Sequence, residues 1–322
     1  MSAPLTSAPA VPLPLAEPGR WLGAAAALAT VLLWAAGLVA TRFGVTGALS
    51  LWDVIFLRLA LPALLLIPIL LRFMRMPAPD GSAAAGNRPF WIVVMILGAG
   101  LPFLLIGSGG MVFAPAAHAG ALMPGSMPLF AALFAALLLG ESFNTQRKLG
   151  TALMLLGAIA VGGWQVVQGT SDTWRGDLMF VCAGAMWACY TIGLKKTGIG
   201  PWQAAAVVYV ASFVVYTPIY FLWFDSRLLI APAFEIGVQV VQSVASGLLS
   251  MAAYSFAVRR LGAAPAAAFG ALTPALTALL AIPLLGEWPE TVTWIGIVAV
   301  SLGVALANGA FSRYNRANHQ RG

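Results

Sequence analysis

Ten apolar runs, each about 20 residues long, govern what this chain can fold into. They span 21–43, 49–72, 90–109, 115–139, 147–168, 176–194, 202–223, 235–258, 264–285 and 291–311. A helix needs about 20 apolar residues to cross a bilayer. Hydrocarbon offers the backbone no hydrogen-bond partner, so a spanning segment must be a helix or part of a closed barrel. The runs are continuous and lack the alternation of barrel strands, so they read as helices. Composition agrees: 61% of the residues are hydrophobic, 8% are charged and the mean hydropathy is +0.91. A soluble domain is about a quarter charged.

Basic residues orient the runs. With the first run entering from the cytoplasm, the inner segments hold Arg20, Arg72, Arg75, Arg88, Arg147, Lys148, Lys195, Lys196, Arg259, Arg260, Arg313, Arg316 and Arg321. The outer segments hold only Arg42, Arg175 and Arg227. This is the positive-inside pattern, and a missed or extra helix would invert every later loop. It accounts for the net charge of +7 without nucleic acid. Nine of the tryptophans, among them Trp21, Trp52, Trp91 and Trp288, fall near run ends as an interfacial belt. Residues 1–20 read as a disordered cytoplasmic tail without the basic start of a signal peptide, and 312–322 as a basic cytoplasmic tail. Cys182 and Cys189 are seven apart on one helix, about 10.5 Å of rise. That is too far for a disulfide between them.

The chain repeats itself. Pro128 to Glu141 reads PLFAALFAALLLGE, and Pro274 to Glu287 reads PALTALLAIPLLGE, at an offset of 146. The same offset maps Gly150 onto Gly296 and Gly157 onto Gly303. Near the first run, Gly23 and Trp34 map onto Gly176 and Trp187 at an offset of 153. Residues 21–169 and 174–311 therefore read as two copies of a five-helix unit. Five is odd, so the copies must be inverted. The predicted fold is an all-α membrane protein of ten transmembrane helices, arranged as two five-helix inverted-topology repeats around a central cavity. Many secondary transporters are built this way, with substrate near the midplane.

The two Pro-to-Gly-Glu segments and the five-plus-five helices resemble the EamA-type branch of the drug/metabolite transporter superfamily. Within it the chain looks most like the YddG-type exporters of aromatic and other amino acids. The resemblance implies an exporter in the bacterial inner membrane with both termini cytoplasmic. It also implies a cavity lined mainly by helices 1, 3, 4, 6, 8 and 9, and an amino acid as substrate.

Candidate site residues follow from helical faces. On the eighth run Ser243, Gly247, Ser250 and Tyr254 share a face, with Ser246 beside it; it lines either a pathway or a helix–helix seam. Trp34 and Trp187 are repeat mates inside spans, and read either as an aromatic wall or as packing. Tyr190 is one turn from Trp187. His118, Ser108 and Met111 lie close together in sequence, and a histidine can hold a carboxylate. Thr273 is on a polar face of the ninth run. Pro128 and Pro274 are repeat mates, expected to bend their helices beside the cavity. Arg58 is the one charge deep in a span, with Asp53 too far round the helix to pair well.

All ten carboxylates fall in tails, loops or terminal turns. Proton-coupled carriers bury one, so facilitated export by alternating access is expected, with coupling through His118 as the exception. Export of hydrophobic drugs or other metabolites is the alternative. No HExxH or Gly-x-Ser-x-Gly pattern supports an enzyme. No cofactor or metal is expected, and the chain reads as a monomer or homodimer.

Overall fold

The computed structural model describes residues 20–75, 87–139, 145–163 and 172–308. Most of both tails, Glu141 and Trp164 lie outside the described residues. Thirteen α-helices appear among those described: α1 (Arg20–Thr46), α2 (Leu51–Met74), α3 (Arg88–Ala99), α4 (Leu101–Phe113), α5 (Ala116–Leu139), α6 (Thr145–Ala158), α7 (Thr173–Thr197), α8 (Pro201–Trp223), α9 (Ala233–Val244), α10 (Ser250–Leu261), α11 (Ala263–Ala268), α12 (Thr273–Leu285) and α13 (Thr291–Ala307). Each of the ten apolar runs is helical over most of its described residues. Among the described residues seven rods are long and apolar enough to cross a membrane, and α13 is a shorter apolar helix. The chain is an all-helical, multi-pass membrane protein.

Three rods are interrupted, each differently. The third run breaks at Gly100, where Pro102 follows. The Leu101 N–H that the break frees donates to Ser212 Oγ of α8 at 3.0 Å. The eighth run passes through a π-helical turn, Ala245–Leu249, between α9 and α10. Such turns occur often at functional sites. The ninth run passes through a 3₁₀ turn, Phe269–Leu272, before α12. Pro274 then sits in the first turn of α12, where a missing N–H is harmless. Its mate Pro128 lies inside α5, which continues past it. The two prolines therefore sit in different local settings.

Small residues set the closest packing. A Cβ on Gly150 would lie 2.7 Å from the Gly303 carbonyl oxygen, and one on Gly157 2.8 Å from that of Gly296. These contacts run crosswise: each glycine meets the mate of the other. The corresponding helices α6 and α13 thus lie antiparallel about a local two-fold axis. The close approach of backbones replaces the hydrophobic effect, which hydrocarbon does not supply between helices.

Polar groups are tied internally. Arg58 donates to Thr41 Oγ1 at 2.8 Å and Gln242 Oε1 at 3.4 Å, joining α2 to α1 and α9. Gln242 donates to Gln239, which donates to the Ala40 carbonyl. Asp53 caps α2 by bonding back to Ser50, and it accepts from Tyr220 Oη of α8 and the Arg227 N–H. Outward faces carry Leu64, Leu65, Leu222 and Ile295, all more than half exposed, as contact with lipid requires.

We expect Gly157→Val or Gly296→Val to destabilise the detergent-solubilised protein by about 1–3 kcal/mol through overpacking. Thermal unfolding followed by tryptophan fluorescence checks it. Gly237→Ala is the control, because a Cβ there meets nothing within 4 Å; its midpoint should hold.

Candidate functional site

Trp34 of α1 points at α10. Its indole N–H donates to Ser250 Oγ at 3.1 Å, and its ring lies 5.8 Å from that of Tyr254. Ser250 in turn donates to the Ser246 carbonyl. The structure therefore brings together three of the residues picked from sequence. It also closes the seam between them. A Cβ on Gly37 would lie 2.6 Å from Ser246 Cβ, so this part of the polar stripe on the eighth run is helix–helix packing and not open space.

Trp187 has a corresponding place against the first repeat. Its ring lies 5.4 Å from Phe103 of α4 and 5.2 Å from Tyr190. Gly98 makes this approach possible, since a Cβ there would lie 2.6 Å from the Met186 carbonyl. Unlike Trp34, Trp187 borders a cavity of about 540 Å³. Met127, Pro128, Ala131, Arg147, Thr191, Ala267, Ala307 and Asn308 complete its wall. The lining comes from the later half of α5, the start of α6, the second half of α7, α11 and the end of α13. These elements only partly overlap the set implied by the family resemblance. Chain direction puts the cavity at the bundle end where α7 and α13 finish.

Polar and apolar atoms share the wall about equally. Its polar side-chain groups are the Thr191 hydroxyl, the Asn308 amide, the Arg147 guanidinium and the Trp187 indole N–H. Asn308 Nδ2 donates to the Ala267 carbonyl at 3.3 Å, and Thr191 to the Trp187 carbonyl at 3.0 Å. No carboxylate stands among these lining residues. Such a surface suits a small solute with an apolar body and an anionic or polar head.

The opposite end of the bundle is tied by charge. Arg42, near the end of α1, donates from Nε to Glu287 Oε1 at 2.6 Å. Its Nη1 donates to the Met111 carbonyl. The other Glu287 oxygen accepts from the Ala116 N–H at 2.8 Å. Gly286 makes this possible: it ends α12 in the left-handed conformation, φ 69°, which glycine adopts without a Cβ clash. The Gly-Glu of the repeated segment is thus a helix stop that turns a carboxylate back onto α1.

Four sequence expectations need correction or refinement here. Met111 does not line a pathway: its side chain is 2% exposed in the hydrophobic core, and only its carbonyl takes part, by binding Arg42. His118, a candidate to hold a substrate carboxylate, is buried, and its Nδ1 lies 2.8 Å from a carboxylate of the protein itself, Asp177 Oδ1 of α7. Asp177 does stand in a first helical turn, but it is buried, and its Oδ2 has no hydrogen-bond partner. Ser108 and Thr273 are both buried, and Thr273 Oγ1 is left without a partner.

Sequence reasoning passed over Arg42, Glu287 and Asp177, and also Thr191 and Asn308. The signal for Glu287 was present in the repeated Gly-Glu. Arg42 carried none beyond being a basic residue on the sparsely charged side. No group of three or more His, Cys, Asp or Glu able to hold a metal occurs among the described residues.

Comparison with known proteins agrees with this architecture. A solved structure described only as "Crystal structure of protein" is similar over 89% of this chain and 97% of its own, at 18% identity and a TM-score of 0.59. At that identity the likeness is one of fold. No curated protein matches the chain. The model of the EamA-like transporter family matches twice, over residues 21–163 and 174–309. Two matches that together cover most of the chain make it a member of the EamA-like transporter family, and hence a membrane transporter of small molecules.

Proposed function

We propose that the protein exports neutral amino acids, aromatic ones included, across a bacterial inner membrane by alternating access. The observation that carries this reading is the cavity beside Trp187, open at one end of the bundle while ionic contacts tie the other end. The charge bias of the loops supports a cytoplasmic side for the cavity end and both termini. Two inverted five-helix copies support the mechanism, because a symmetric pair has two nearly equivalent packings, one open to each side. The crosswise glycine contacts of α6 and α13 support the inversion.

Trp187 offers a face for an apolar or aromatic side chain. Arg147 has five N–H donors and with Asn308 addresses a carboxylate. Export proceeds as facilitated transport down the amino-acid gradient, a reading supported by the lack of a carboxylate among the described residues that line the cavity. Proton-coupled export is the second reading, favoured by the buried His118–Asp177 pair. Accumulation above equilibrium in proteoliposomes under an imposed pH gradient would select it.

Counterflow of labelled tryptophan, threonine and methionine into proteoliposomes tests the substrate class. Exchange with at least one is expected, and none with any of them would reject the reading. In the same assay Trp187→Ala should slow tryptophan roughly fivefold more than threonine. The estimate is the loss of about 1 kcal/mol of ring contact beyond area burial. Equal slowing of both would take Trp187 out of the recognition surface. Tyr254→Ala should slow all three alike, by loosening Trp34 without touching the cavity wall.

A further inference from the structure

The structure assigns to Arg42 and Glu287 the role of a gate: this pair holds one end of the bundle shut and must part in each transport cycle. The inference rests on alternating access as read above and names the residues that control it.

Three observations carry it. The pair crosses the repeats, joining α1 of the first copy to the end of α12 in the second. Each side chain also binds the backbone of a further segment. Arg42 holds the Met111 carbonyl near the end of α4, and Glu287 holds the Ala116 N–H at the start of α5. Two side chains thus gather four helix ends into one layer. A second cross-repeat contact, His118 with Asp177, joins α5 to α7 in the same region.

The layer lies at the end away from the cavity. The Arg42 and Glu287 side chains are 17% and 19% exposed, so they border water without being immersed in it. A pair in that position holds helices together, yet can be solvated when they part. A fully buried pair would leave bare charge behind. The repeat gives an internal comparison. The offset of 153 that maps Trp34 onto Trp187 maps Arg42 onto Lys195. Lys195 lies at the cavity end, is exposed, and makes no ion pair among the described residues. The same basic position is engaged at the closed end and disengaged at the open one.

Cysteine accessibility tests the gate. In a Cys182→Ser/Cys189→Ser background, Ser108→Cys reports on the interior behind the gate and Thr191→Cys on the cavity end. Labelling by a polar maleimide is timed in nanodiscs. Arg42→Gln and Glu287→Gln should each speed labelling at position 108 at least tenfold and slow it at 191. Faster labelling at 108 with no change at 191 would keep the gate but reject alternating access. Unchanged labelling at 108 in both variants would overturn the gate.

A cross-link guards against misfolded variants. Arg42→Cys/Glu287→Cys in the same background should lose counterflow when joined by a short thiol cross-linker and regain it on reduction. The regained activity shows that the protein is folded. Full transport in the joined state would also overturn the proposal.

Discussion

Hydrocarbon solvates no polar group, and the rest of this structure follows from that. A polar atom within the span is costly to leave without a partner in the protein, although Asp177 Oδ2 and Thr273 Oγ1 are left so. The result is a set of short ties between helices: Ser212 to the freed Leu101 N–H, Arg58 to Thr41 and Gln242, and Asp53 to Tyr220. Each compensates a local break or a stranded charge. Each also fixes the rotation of one helix against another, which apolar contact with lipid cannot do.

The same constraint shapes how the bundle is packed and where it opens. Glycines bring α6 and α13 together where larger side chains would hold them apart. The interior beside Trp187 is wider, and there polar and apolar surface share the wall. At the other end the polar contacts are charged and bridge the two copies. A bundle with open space at one end and ionic ties at the other is asymmetric, although its halves are duplicates. The proposed alternating access rests on that asymmetry.

Much of this was legible in the chain. Helix positions followed the apolar runs, because burial in lipid is decided locally and adds up residue by residue. Duplication was visible in the Pro-to-Gly-Glu segments, and the paired glycines of α6 and α13 were visible as matching positions. The cluster of Trp34, Ser250 and Tyr254 followed from helical faces. Other expectations failed for reasons that were not local. The sequence puts Met111 beside Ser108 and His118, yet helix rotation turns its side chain into the core. Matching prolines sit in different settings: Pro274 follows a 3₁₀ turn while Pro128 lies inside a continuous helix.

Length, hydropathy, charge asymmetry and repetition along the chain determined that this protein crosses a membrane many times and is built from two copies of one unit. Those properties need no knowledge of neighbours. Tertiary structure alone decided which polar groups meet. Arg42 and Glu287 are 245 residues apart, and His118 and Asp177 are 59 apart. No local periodicity encodes such separations. They arise because helix ends are brought into one layer by packing elsewhere in the bundle, and the charges there then pair across the seam.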